Sequence, residues 1–269
     1  MNLLERYCIS LRHHPVLENT FVWGAIRPVY NIFLGVIASR KGVERTMNGT
    51  DSIRLHSRWR GIQEVYEPFV WKHCMGNVPE QGVVVDVGAF VGLYTIAFAK
   101  RVGPQGSVVA FEPESTSFKW LQRHVVLNNV QNRVRLIPAA VGDRIGKIGF
   151  VEGRDSQSRV GETAAGGQPA AITTLDEEFP NQRVDLIKVD VEGYEEKVLW
   201  GGTRLLKDTT RCPRFIYIEV HPYAWKEVGT TSESLLELLK ECNYKILDLA
   251  GRSVEKIDFY GEIIAYKNI

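Results

Sequence analysis

The sequence predicts an α/β fold, an open and mostly parallel sheet with helices on both faces. Three observations predict it. Strand-like and helix-like runs alternate from Val83 to Tyr266. The first strand candidate, Val83 to Val87, is a β-branched run that suits a strand buried on both faces. The chain has 269 residues, 44% apolar and 24% charged, enough for one large soluble domain with a short extension or for two small ones.

Residues 1–64 are assigned to an N-terminal helical extension and 65–269 to the main domain. Met1 to Arg6 lacks the basic start and apolar core of a secretory signal. Phe21 to Ala38 is apolar, but Arg27, Pro28 and Asn31 interrupt it, so no bilayer span is expected. A pair of short capping helices is the favoured reading. The alternative is peripheral membrane contact through residues 21–38, with Trp23 and Tyr30 as anchors.

In the main domain, a glycine loop follows the first strand, and Leu93 to Arg101 reads as a helix. Ser107 to Phe111 is the second strand. Ser115 to Asn128 is a helix, with Ser115 as its candidate cap. Val134 to Ile137 is a third strand and Lys147 to Val151 a small extra one. Arg154 to Ala171 is rich in Gly, Ser, Ala and Gln without a period, and reads as an exposed loop. Val184 to Val189 is the fourth strand, with a helix from Tyr194 to Trp200. Phe215 to Val220 is the fifth, followed by a helix from Ser232 to Glu241. Tyr244 to Leu249 and Glu262 to Tyr266 close the sheet as paired neighbours. Ligands of such folds bind beyond the carboxyl ends of the strands, where the strand order switches.

A net charge of +1 gives no basic excess for nucleic acid. Cys8, Cys74, Cys212 and Cys242 lie at long, irregular intervals, which suits reduced thiols in a cytoplasmic protein better than zinc or disulfides.

The loop after the first strand is the strongest local signal. Asp86 ends a strand, Gly88 and Gly92 flank the turn with Ala89 between them, and Tyr94 and Thr95 open the helix. Glu112 ends the next strand, where a carboxylate can accept both hydroxyls of a ribose. A dinucleotide needs glycine at both close positions of its pyrophosphate cradle, and Asp86 would repel that group. S-adenosylmethionine has no phosphate. Its ammonium and sulfonium suit Asp86, and helix-start N–H groups suit its carboxylate. Alternatively, Asp86 only caps the loop.

The segments VVVDVGAFVGLYT, FEPE at Phe111 to Glu114, TTLDE at Thr173 to Glu177, LIKVDVEGYEEKVLWGG at Leu186 to Gly202 and IEVHP at Ile218 to Pro222 resemble the FkbM family of methyltransferases. Order and spacing agree from about Tyr66 to Pro222, and Val65 to Pro68 resembles the family's lead-in. The resemblance implies a class I methyltransferase fold: Rossmann-like, three-layered, with a mostly parallel seven-stranded sheet and a closing antiparallel strand. It implies S-adenosylmethionine as donor and oxygen methylation of a sugar, glycolipid or natural-product acceptor.

Methyl transfer to an alcohol needs alignment and a group that takes the hydroxyl proton. Asp190 ends the fourth strand, and Glu219 and His221 lie two apart at the end of the fifth. His221 is the candidate base. Asp190 and Glu219 could also hold a divalent ion, although no metal is predicted. Plainer roles stand beside these. Asp190 could cap a helix or pair with Lys188, and His221 could fix the turn at Pro222. Glu195 reads as a solvated helix residue. Glu67 could meet the methionine ammonium or lie on a helix surface, and Asp143 could reach adenine or sit in a turn. The competing functions are a nicotinamide oxidoreductase, a non-catalytic binding protein of the same fold, and nitrogen methylation.

Overall fold

The computed structural model describes residues 42–151, 159–161 and 168–268, together with Pro28. The apolar stretch from Phe21 to Ala38, Pro28 apart, lies outside the described residues. Among those described, no helix is long and apolar enough to cross a membrane.

The chain enters through an antiparallel hairpin, β1 (Val43–Met47) and β2 (Asp51–Leu55), and a short turn of 3-10 helix at Ser57–Trp59. Helix α1 (Pro68–Gly76) precedes β3 (Val83–Val87), α2 (Leu93–Arg101), β4 (Ser107–Phe111), α3 (Ser115–Leu127) and β5 (Val134–Ile137). Four short strands follow: β6 (Ala139–Val141), β7 (Gly146–Val151), β8 (Arg159–Gly161) and β9 (Gln168–Thr173). The chain continues through α4 (Leu175–Glu178), β10 (Leu186–Val189), α5 (Glu195–Trp200), α6 (Thr203–Lys207), β11 (Phe215–Val220), α7 (Pro222–Val228) and α8 (Ser232–Glu241). It ends with β12 (Lys245–Leu247) and β13 (Gly261–Tyr266).

The main sheet has seven strands in the order β12-β13-β11-β10-β3-β4-β5. β13 is antiparallel to both neighbours, and the other described pairings in this sheet are parallel. The expected class I methyltransferase architecture is therefore present, including the paired closing strands. Alternation divides the apolar side chains between two layers. Val85, Val87, Ile187, Val189, Ile216 and Ile218 pack against Val198, Leu199, Leu235 and Leu239. On the opposite face Val84, Leu186 and Tyr217 pack with Trp71, Ile96 and Phe98.

Chain order runs outward from β3 to β5, then returns to place β10 on the other side of β3. The strand order thus switches between β3 and β10, and their carboxyl ends nearly touch. A Cβ on Gly88, at φ +86°, would stand 1.7 Å from the carbonyl oxygen of Asp190. Only glycine fits there.

Three findings add to or correct the expectations. First, between residues 42 and 64 the segment assigned to the extension holds the β1–β2 hairpin and the turn of 3-10 helix. Asn48 and Gly49, both at positive φ, turn the hairpin. Asn-Gly between alternating residues is a hairpin signal the sequence offered. The hairpin is part of the main core, where Met47, Ile53 and Leu55 are fully buried. Asn128 pins it by accepting from Arg54 N–H at 2.9 Å and donating to Arg54 O at 2.8 Å. Second, the presumed loop from Arg154 to Ala171 contains strands. β8 and most of β9 lie in it, and both pair with β7. Neighbouring strands supply what local periodicity did not. Third, α3 is capped by Glu114, which accepts from Thr116 and Ser117 N–H, rather than by Ser115.

Because the hairpin shares the main core, Ile53→Ala is expected to destabilise the whole domain, by about 2–5 kcal/mol. Urea unfolding followed by tryptophan fluorescence should show one displaced transition. An unmoved main transition would mean that the hairpin is a separate cap.

Candidate active site

A cavity of about 580 Å³ opens at the carboxyl ends of β3, β4, β10 and β11. Of the residues singled out in the sequence, Glu67, Gly88, Glu112, Asp190 and Glu219 line it. Asp86, Ala89, Gly92, Tyr94 and Thr95 are buried outside its lining, and His221 is buried against Glu192 and Glu219 of the wall.

The glycine loop is held mainly by its own bonds. Gly88 and Ala89 N–H donate to Phe111 O at 3.0 and 2.9 Å, and Gly92 N–H to Ala89 O at 2.8 Å. Phe90 N–H donates to Glu112 Oε2 at 2.7 Å, and Glu114 N–H to Glu112 Oε1 at 2.8 Å. These loop N–H groups are already engaged, which removes them from the set expected to hold a carboxylate. Asp86 is 2% exposed and accepts from Thr95 Oγ1 at 2.5 Å. It secures the first turn of α2 from behind the loop. Burial pushes Asp86 up to about 6 and Glu112 up to about 7.

The wall near Glu112 is aromatic. Trp59 meets Phe90 edge to face at 5.4 Å and Trp120 at 6.3 Å. The indole Nε1 of Trp59 is a buried donor with no partner among the described residues. Trp59 and Trp120 were not singled out in the sequence, because one lies in the region assigned to the extension and the other on an ordinary amphipathic helix.

The opposite wall is acidic, and Lys188 organises it. Lys188 is 2% exposed, pairs with Asp190 Oδ2 at 3.1 Å and sits 4.5 Å above the Tyr94 ring. The Tyr94 hydroxyl donates to Glu67 Oε2 at 2.7 Å, so Glu67 is a tethered wall residue and not a free surface charge. Burial raises the Asp190 carboxyl, but Lys188 and His221 outweigh this and hold it below its ordinary value. Glu219 is pushed up to about 7 by burial and by Asp190. Glu262 pairs in register with Glu219 from the closing strand, and burial pushes it up to about 8. Its Oε1 has no hydrogen-bond partner among the described residues.

His221 caps α7 and is 1% exposed. Its Nδ1 lies 2.7 Å from Glu195 Oε1, and its Nε2 lies 3.6 Å from Glu192 Oε2 and 3.9 Å from Glu219 Oε1. Burial lowers its basicity, but Glu195, Glu192 and Asp190 more than reverse this and raise it above the ordinary value. Glu195 is fully buried, which overturns its reading as a solvated residue. Asp143, by contrast, sits in a turn with Lys197 and Arg144 nearby.

Residues 86–246 match the family model of the methyltransferase FkbM domain. The chain belongs to the FkbM methyltransferase family. It is 27% identical over 177 residues to the methyltransferase sdnD of Sordaria araneosa, covering 52% of this chain and 68% of that protein. It is 28% identical over 149 residues to methyltransferase 1 of Beauveria bassiana, covering 46% and 59% respectively. Among solved structures, a methyltransferase FkbM from Methylobacillus flagellatus aligns at a TM-score of 0.47 and 14% identity, covering 91% of this chain and 60% of that one.

In this FkbM chain, Asp190, Glu192 and His221 each present a ligand atom, all within 4.8 Å of one another. The cluster could share a cation, and the Lys188 ammonium already places one positive charge on Asp190.

Glu262 makes the stability of the methyltransferase depend on pH. Its value of about 8 exceeds the ordinary 4.5, so the native state keeps a proton that the unfolded chain releases. Native stability is lost as pH rises from the ordinary carboxyl range through about 8. Thermal melts should show Glu262→Gln matching the wild type near pH 5 and melting a few degrees higher near pH 8.5. Equal melting at both pH values would place the proton elsewhere.

Proposed function

We propose that this methyltransferase transfers a methyl group from S-adenosylmethionine to a hydroxyl of a sugar, glycolipid or natural-product acceptor. The observation that carries the reading is the polarity of the cavity, with an aromatic wall beside Glu112 at one end and Glu219, raised to about 7, beside an ionised Asp190 at the other.

The first wall fits the nucleoside. The Glu112 carboxylate can accept from ribose hydroxyls, and Trp59 Nε1, without a partner among the described residues, offers a donor beside an aromatic surface. Gly88, lacking a Cβ, lets the β3 loop and Asp190 close against each other at the cavity wall. Glu67, tethered by Tyr94, can meet an ammonium group. S-adenosylmethionine supplies, when bound, an electrophilic methyl carbon whose leaving group is a neutral thioether.

An alcohol is a weak nucleophile at neutral pH, so the protein must take its proton as the new bond forms. Glu219, at about 7, and His221, raised above its ordinary value, are matched to that task. Asp190, kept ionised beside Lys188, can accept a hydrogen bond from the acceptor and orient it.

Calorimetry should give S-adenosylhomocysteine affinity in the micromolar range, weakened at least ~10-fold by Glu112→Ala. Asp190→Ala should retain that affinity and lose ~10²-fold or more in methyl transfer to a panel of methyl glycosides. A wild type that is folded yet binds no S-adenosylhomocysteine would remove the proposal.

The group that takes the proton must be unprotonated, and Glu219, at about 7, titrates across neutrality. Transfer rates should therefore rise between about pH 6 and pH 8. Initial rates with radiolabelled donor would show it, and a flat profile would favour an acceptor that needs no base.

A further inference from the structure

Glu195, 0% exposed, is the most deeply buried acid beside the site, and nothing in the cofactor or acceptor walls requires it. Three donors converge on its carboxylate. Gly193 N–H donates to Oε1 at 2.8 Å, Trp225 Nε1–H donates to Oε2 at 2.8 Å, and His221 Nδ1 lies 2.7 Å from Oε1. A backbone amide and an indole can only donate, so both oxygens already act as acceptors. An ionised carboxylate has no hydrogen to give, so with Glu195 ionised the contact to His221 requires a hydrogen on Nδ1. In the neutral ring, the lone pair is then on Nε2. That nitrogen is the one turned toward Glu192 and Glu219 of the cavity wall.

The surroundings keep this arrangement in register. A Cβ on Gly193, at φ +106°, would stand 2.5 Å from the Cβ of Ala224, so the loop before α5 lies directly against α7. The charged and titratable groups facing the ring come from several elements. Asp190 and Glu192 follow β10, and Glu219 ends β11. Tyr223 donates to Glu192 Oε2 at 2.8 Å, and Tyr260 donates to Glu219. Both phenols therefore engage wall carboxylates, and Glu195 holds the ring from behind.

We propose that Glu195 is a positioning residue that fixes His221 as the Nδ1–H tautomer, so that Nε2 receives the acceptor proton. The inference rests on the hydroxyl-methylation reading for its use but not for its geometry. In the step, the acceptor oxygen forms a bond to the methyl carbon while the carbon–sulfur bond breaks and its electron pair stays on sulfur. The hydroxyl proton passes to Nε2, and the buried Glu195 carboxylate stabilises the imidazolium that results.

The test is the ring tautomer, read from ¹⁵N shifts of histidine-labelled protein at a pH where the ring is neutral, with His221→Gln assigning the signals. The wild type should show Nδ1–H. Trp225→Phe removes one contact but keeps the carboxylate, and should leave the tautomer in place. Glu195→Gln can present an amide N–H to Nδ1, and should populate the Nε2–H form. It should also slow transfer to any methylated glycoside ~10²-fold or more while leaving S-adenosylhomocysteine affinity within about twofold. An Nε2–H wild type, an unchanged tautomer in Glu195→Gln, or equal scrambling in Trp225→Phe would overturn the inference. Should Glu195→Gln not fold, the wild type and Trp225→Phe still decide it. If no glycoside is methylated, hydroxyl methylation fails while the tautomer stands or falls by itself.

Discussion

A single buried ammonium makes the acidic end of this molecule possible. Isolated carboxylates in a low-dielectric interior would protonate or pull water inward. Lys188 sits where Asp190, Glu219, Glu262 and Glu67 all feel its charge. It comes from the central strand β10, beside the switch in strand order. The Tyr94 ring beneath it and the Tyr94 hydroxyl on Glu67 extend its influence from the sheet to the segment before β3. Breaking such a buried pair by removing one partner typically costs several kcal/mol, because the other charge is left uncompensated.

The same arrangement explains how one cavity has two characters. At the glycine loop, backbone bonds do the holding, and Glu112 is shaped by two N–H groups. At the opposite wall, side chains hold one another in a network, with phenols on Glu192 and Glu219 and a buried carboxylate behind His221. The first end is rigid through the chain itself, the second through pairwise contacts that single substitutions can retune.

Much of the fold was legible because its determinants are local. Val83 to Val87 is β-branched at every position but Asp86, which suits a central strand, and the run from Leu186 to Gly202 carries its strand, turn and helix in order. Gly88, Glu112 and Asp190, each directly after a strand, and Glu219, next to the last residue of β11, were legible as cavity residues for the same reason. What escaped depends on distant partners. Glu195 looks like any acidic residue in a first helical turn until His221, 26 positions later, is folded against it. Trp59 matters only because Phe90 and Trp120 come to it. The strands β8 and β9 have too little periodicity to announce themselves and exist through their pairing with β7.

The carboxyls that burial raises toward neutrality have a thermodynamic consequence. Asp86, Glu112 and Glu219 each lie within about a unit of neutral pH, so the free protein carries a fractional load of protons there. A cationic ligand entering the cavity favours the ionised forms and expels part of that load into solution. Its binding heat then includes the ionisation heat of whatever buffer takes up those protons, and its affinity tightens as the medium becomes more alkaline. The protein thus exchanges one positive charge for others at the site, and the hydrogen ion becomes a competitor for the place the ligand occupies.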